Sequence, residues 1–293
     1  MEGALPQGFS KEDHKIKAEK FREELKQNLE KSDGKFGDVL KKYHESGSLK
    51  EFLPEISLLE KCEQGPPWHM EGNAFVHTCM VANGLPSKAS FDLILAAFLH
   101  DIAKPQTRRE IKELNGNIKV TFYGHEAMGA KMAMPRLNEL GLLEESKEKI
   151  FWLIENHLRI LSFPEMKRSN ALKFAKNSHF KDLLDLVFAD LGASIAINEE
   201  FQKKNESILA IIKERYEKLM QEEEMFGEKI EQIKKEITNE KIREIYKSIH
   251  GSEPEERKII KLRHNILEKI TNGAIFEQEK ALETMRGIIA HKP

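Results

Sequence analysis

The chain has 293 residues, 40% hydrophobic and 33% charged, with 47 basic against 49 acidic side chains and a formal net charge of -2. That composition implies one or two folded domains and excludes collagen, mucin and membrane-channel classes. The balanced charge also excludes a uniform basic face that would bind nucleic acid mainly through phosphates, while a local basic patch stays open.

No apolar run approaches the roughly 18 residues of a spanning helix, and MEGALPQGFSKEDHK lacks the charged-then-apolar order of a signal peptide. The expectation is a cytoplasmic protein with no membrane partner, in which Cys62 and Cys79 remain free thiols. Residues 1–50 interleave lysine and glutamate with sparse apolar positions, which predicts a mobile start and one or two exposed helices as an N-terminal extension.

From 51 to 220 the apolar content rises, and this stretch is expected to be the domain with the core. NAFVHTCMVANG, SFDLILAAFLHDIAK, GHEAMGAKMAMPRLNELG, SKEKIFWLIENHLRI and FKDLLDLVFADLGASIAI each carry the i, i+3, i+4 spacing of amphipathic or buried helices. Strand signals are few. REIKELNGNIKVTFYG alternates on either side of Asn115 and Gly116, which predicts a small hairpin between helices. The fold class is therefore all-α with a minor β excursion.

Residues 221–293 form a charged helical region at the other end. Ile230, Ile233, Ile237, Ile242 and Ile245 recur at about 3.5-residue intervals, the stripe of a packing face or of a homodimer through the C-terminal helices. A further helix is read over SEPEERKIIKLRHNILEKITNG, with Ser252 as cap, Pro254 in the first turn and Gly273 near the end.

Divalent metals need carboxylate or neutral imidazole ligands on rigid backbone, so histidines and aspartates on apolar helix faces are the residues to find. Five segments offer them: His77, His100 with Asp101, His125, His157 and Asp190. Asp190 follows Leu183 and Val187 on a face shared with Leu186 and Ile197, and His157 follows Leu153 and Ile154, so both point inward. Asp182 and Asp185 look solvent-facing. Any one of these histidines alone reads as a core imidazole. Five inward polar segments together point to a shared cation. Adjacent residues on a helix diverge by about 100°, so one ion must sit between His100 and Asp101, with His77 and Asp190 completing its shell. His125 and His157 remain for a second ion, bridged by Asp101. Two ions about 3.5–4 Å apart would share a hydroxide placed for in-line attack on phosphorus.

The ordered set His77, His100-Asp101, Asp190, with His125 and His157, resembles the HD-domain metal-dependent phosphohydrolases. PPWHMEGNAFVHT, AAFLHDIAKPQTR and VTFYGHEAMGA are more narrowly similar to the HD region of bacterial CCA-adding tRNA nucleotidyltransferases, over about residues 65–195. Those enzymes carry an upstream nucleotidyltransferase domain for which residues 1–50 are too few, so nucleotide addition is not carried over.

The resemblance implies an HD helical bundle, one or two divalent ions (Mn, Fe, Ni, Co or Mg), and hydrolysis of phosphomonoesters or phosphodiesters of nucleotides or RNA ends. Asp101 is then catalytic as well as a ligand. A lysine at the place of Lys104 is common in the family, and it would hold a substrate phosphate or offset developing charge. Arg108 and Arg109 offer forked donors to phosphate, and His69 and Arg159 are further substrate-side candidates. Glu126 reads as a proton carrier or as a helix-start glutamate. The alternative is a non-catalytic HD module that binds a nucleotide or tRNA for regulation.

Overall fold

The computed structural model describes residues 11–65, 69–112, 116, 118–195 and 198–291. Among them are fifteen α-helices and two antiparallel two-stranded sheets. The chain begins with α1 (Lys11–Glu30), α2 (Phe36–Glu45), α3 (Ser48–Phe52), α4 (Pro54–Leu58), β1 (Glu63–Gly65), β2 (His69–Asn73), α5 (Ala74–Gly84) and α6 (Phe91–Leu99). It continues through α7 (Lys104–Thr107), β3 (Arg109–Lys112), β4 (Ile118–Thr121), α8 (His125–Glu139), α9 (Glu144–Asn156), α10 (Arg168–Ala175) and α11 (Phe180–Ala193). The last helices are α12 (Glu199–Glu236), α13 (Asn239–His250), α14 (Glu256–Asn272) and α15 (Gln278–Ala290). No helix is long and apolar enough to cross a membrane.

The described parts of 1–162 and 178–210 make one compact unit, and those of 163–177 and 211–293 make another. In the first unit α6 is the central element, because FDLILAAFL is apolar on every side and all its residues from Leu93 to Leu99 are buried. Helices α5, α8, α9 and α11 pack around it. Asn73 Oδ1 accepts the Val76 N–H at 3.0 Å and Ser90 Oγ accepts the Leu93 N–H at 3.3 Å, so a side-chain cap starts each of α5 and α6.

Helix α1 is less exposed than its charge predicts, since Phe21, Leu25 and Leu29 follow one another at i, i+4, i+8 and are all buried. Arg22 reinforces that contact by donating to the carbonyls of Leu140 and Gly141 at the end of α8. Cys62 and Cys79 are free and buried, as expected.

The predicted hairpin is present as β3 paired with β4, with Arg109 opposite Thr121 and Lys112 opposite Ile118. Gly116 has a left-handed φ of 86°, and Asn115 lies outside the described residues, as do residues 1–10, where a mobile start was expected. The ribbon of β1 and β2 was not expected. Its short strands, of three and five residues, do not show enough alternation to be read.

In the second unit Ile230, Ile233, Ile237 and Ile242 are buried in one core with Ile259, Leu262, Ile266, Ile270 and Met285. The isoleucine stripe is thus covered by α14 and α15 of its own chain, a packing face rather than a free one. It is also broken at Thr238, whose side chain caps α13. Helix α14 starts at Glu256, later than the sequence suggests: Ser252 and Pro254 precede it, with Glu255 at the cap position. Gly273 ends it as expected.

Candidate metal centre

Helix ends position the imidazoles. The last carbonyls of an α-helix have no intrahelical partner and are free to accept a side-chain hydrogen bond. His100 follows α6 directly and its Nδ1 donates to Ala97 O at 2.8 Å; His157 follows α9 and its Nδ1 donates to Ile154 O at 2.7 Å. His125 is the first residue of α8, and its Nδ1 donates to Phe122 O at 2.7 Å. These bonds place the ring proton on Nδ1 and leave Nε2 as the inward-facing nitrogen. The sequence reading had put His100 and Asp101 inside a continuing helix. They occupy the turn between α6 and α7, which frees the carbonyl that His100 uses.

His77 lies within α5, and Asp190 comes from α11, packed against it. His77 Nε2 is 2.8 Å from Asp190 Oδ1, and His100 Nε2 is 3.9 Å from the same oxygen. Asp101 reaches both sides of the centre: Oδ2 is 3.1 Å from His100 Nε2, and Oδ1 is 3.2 Å from His125 Nε2. His157 Nε2 closes the far side, 3.2 Å from His125 Nε2. The donor atoms of His77, His100 and Asp190, and separately of Asp101, His125 and His157, lie within 4.8 Å of one another. All six residues proposed from the sequence as ligands therefore meet. The part of that reading that used Ile197 lies outside the described residues.

The electrostatics follow from this closeness. Burial disfavours charge on His77, yet Asp190 and Glu71 against its two nitrogens raise its pKa to about 9. Burial also opposes the charge on Asp101 and Asp190, but neighbouring histidines, with Lys104 in the case of Asp101, hold both well below the usual carboxylate range. His125 is raised because Asp101 outweighs its burial. For His157, burial and then the charges of His125 and His100 act together and push the pKa down to about 3.

The donor set fits a divalent ion. His100 Nε2 is buried without a hydrogen-bond partner, and imidazoles mixed with carboxylates suit first-row metals. A family model for the HD domain matches residues 74–283. This chain belongs to the HD-domain family. That family includes metal-dependent phosphohydrolases, and the all-α bundle with its small hairpin is the HD fold.

Three curated relatives are similar over part of the chain. A CC-adding tRNA nucleotidyltransferase of Thermus thermophilus is 30% identical over 188 residues, 62% of this chain and 41% of the relative. A multifunctional CCA protein of Methylobacillus flagellatus is 26% identical over 153 residues, 49% of this chain and 35% of the relative. Another, of Burkholderia vietnamiensis, is 23% identical over 182 residues, 59% and 41% of the two chains. The HD-domain chain thus spans about two-fifths of the length of these relatives.

The remaining predicted residues are placed unevenly around the HD centre. Lys104 is buried at the start of α7, its Nζ 2.6 Å from Asp101 Oδ2 and donating to Gln64 Oε1, with the Phe122 ring beneath it. His69 Nδ1 lies 2.8 Å from Glu71 Oε1, one residue removed from the candidate ligands, and burial lowers its pKa despite that partner. Arg108 is exposed, donating to Glu63 O and pairing with Glu110 at 2.8 Å, and Arg109 is exposed on β3. Arg159 is exposed and donates to Asn156 Oδ1 at 3.3 Å. Glu126 Oε2 is 3.8 Å from His125 Nδ1, too far for a hydrogen bond. Asp182 pairs with Lys149 at 2.6 Å, and Asp185 is half-buried rather than solvent-facing.

Sequence reasoning missed Glu71 and Gln64. Gln64 is buried with Nε2 unpartnered, and Glu71 touches His69 and His77. Both ride on the β1–β2 ribbon. The one available signal was the His69-x-Glu71 spacing, in which strand alternation puts both side chains on one face.

Proposed function

We propose that this HD-domain chain is a divalent-metal-dependent phosphohydrolase acting on a phosphomonoester or phosphodiester of a nucleotide or RNA end. The observation that carries the reading is the convergence of four imidazoles and two carboxylates, three of the rings fixed from behind by backbone carbonyls. His77, His100, Asp101 and Asp190 would hold one ion; His125 and His157 would hold a second, with Asp101 between them. Divalent ions in such a site supply Lewis-acid polarisation of a phosphoryl oxygen and activation of water at neutral pH.

The chain's own groups supply the rest. Lys104 brings an ammonium to the substrate side of Asp101, where it can bind a phosphoryl oxygen and offset charge that develops there. Three backbone-anchored rings cost no reorganisation when the substrate arrives. Arg108, Arg109, His69 and Arg159 are proposed outer contacts to the phosphorylated substrate. The named activities of the relatives suggest a tRNA end as one substrate class.

The test is a screen of metal-loaded protein against nucleoside phosphates, cyclic nucleotides and 2′,3′-cyclic RNA ends, with Asp101→Ala beside it. Hydrolysis that disappears in Asp101→Ala supports the reading; full activity in that variant ends it. One observation favours a second reading, a nucleotide- or tRNA-binding HD module without turnover: Lys104 already sits on Asp101 Oδ2 as a built-in cation. Tight tRNA binding with no turnover on the whole panel would favour that module.

A further inference from the structure

His77 differs from the other three imidazoles in having no backbone anchor. It lies in the first turn of α5, where the carbonyls behind it point along the helix, so an acceptor for its Nδ1 must come from outside. The group that faces it is the Glu71 carboxylate, at ion-pair distance, while His77 Nδ1 itself is buried outside hydrogen-bond geometry. The Glu71 side chain is 1% exposed, and its Oε1 lies 2.8 Å from His77 Nδ1 and 2.8 Å from His69 Nδ1. Its Oε2 accepts the Ile195 N–H at 3.0 Å, and the Met70 N–H donates to Ile195 O at 2.8 Å. The strand that carries Glu71 is thereby pinned to the chain leaving α11, the helix that carries Asp190.

We propose that Glu71 is a positioning residue of the metal centre. It keeps the His77 proton on Nδ1, so that the Nε2 lone pair faces Asp190 and His100, and it sets the spacing of α5 against the end of α11. The inference rests on the metal-centre reading above. His69, Glu71 and His77 also come close enough to hold an ion by themselves. A separate ion there would require both nitrogens of His77 to be ligands, whereas a carboxylate behind a metal-bound imidazole is the ordinary arrangement.

A carboxylate accepts on both oxygens. A glutamine keeps the volume but turns one of those positions into a donor, against either the Ile195 N–H or the His77 ring. Glu71→Gln therefore separates hydrogen-bond chemistry from packing.

The experiment loads the full-length chain with Co2+ and follows two readouts: Co2+ affinity, and the hyperfine-shifted exchangeable proton signals of ligand histidines in the 1H NMR spectrum. The signal absent in His77→Ala is that of His77. Glu71→Ala and Glu71→Gln are expected to bind Co2+ about 10- to 100-fold more weakly. Both are expected to lose or rapidly exchange the His77 signal alone, because the other rings keep their carbonyls. Should Glu71→Ala fail to fold, Glu71→Gln and Glu71→Asp provide the same readouts. Wild-type affinity with an unchanged His77 signal in Glu71→Gln overturns the proposal. No Co2+ binding by the wild type overturns the metal centre itself, and this inference with it.

Discussion

His125 Nε2 and His157 Nε2 face each other at 3.2 Å, each ring held from behind by a carbonyl, Phe122 O in one case and Ile154 O in the other. Two imidazole lone pairs at that distance repel unless a proton or a cation lies between them. Of the two rings, His125, whose pKa is raised, holds a proton more tightly than His157, held at about 3. A metal ion must displace that proton, together with the proton that His77 keeps up to about pH 9. Loading with Mn2+ at pH 7.5 should release about one to two protons, read by titration calorimetry in buffers of differing ionisation enthalpy. Affinity should rise with pH toward 9. A binding enthalpy independent of buffer would contradict this.

The raised pKa of His77 has the opposite sign for the stability of the metal-free chain. The folded value, about 9, is above the unfolded value of 6.5. The contribution is complete below 6.5 and is lost as pH rises through 9, at most about 3 kcal/mol. The melting temperature of chelator-treated protein should fall between pH 7 and 9.5, and His77→Gln should flatten that profile. A wild-type profile level across this range would count against the His77 pairing with Asp190 and Glu71.

The candidate ligands were legible as a cluster because chemistry and periodicity coincide: a polar side chain at Asp190, on the stripe of Leu183 and Val187, needs a partner wherever it points. The helical class was legible for the same reason. What could not be read were features decided by contacts distant in sequence. Glu71 reads as a loop glutamate until Ile195 and His77 are placed beside it. Phe21, Leu25 and Leu29 are diluted by the charges around them in α1, and only packing shows that one stripe of this helix belongs to the core. The break at Thr238 is likewise hidden, because the isoleucine spacing carries on across it.

Gly37 meets α5 where no side chain fits: a Cβ there would lie 1.9 Å from Cys79 O, two residues after His77. The Gly37 N–H also donates to Asn83 Oδ1 at 2.7 Å. Gly37→Ala must push α2 away from α5, at a cost of about 1–3 kcal/mol or more. Both the melting temperature and Mn2+ affinity should drop. Unchanged values for both would show that α2 does not fix the helix bearing His77.

Lys104 allows a signed prediction, because it is at once a proposed substrate contact and a cation on Asp101 Oδ2 at 2.6 Å. Lys104→Met keeps the stem and removes the charge. Hydrolysis should fall about 100-fold, while divalent-ion binding tightens because a competing charge has gone. Parallel measurement of kcat and of the Mn2+ Kd separates the two effects. Full activity in Lys104→Met would remove the lysine from the reaction.

Six side chains from five segments are proposed to share one cation centre, and an anomalous-difference map of the chain crystallised with Mn2+ would locate the ions themselves. The account predicts one or two peaks within coordination distance of His77, His100, Asp101 and Asp190, the second, where present, shared by Asp101, His125 and His157. A map in which Mn2+ appears only at surface carboxylates, with nothing between His100 and Asp190, would contradict it.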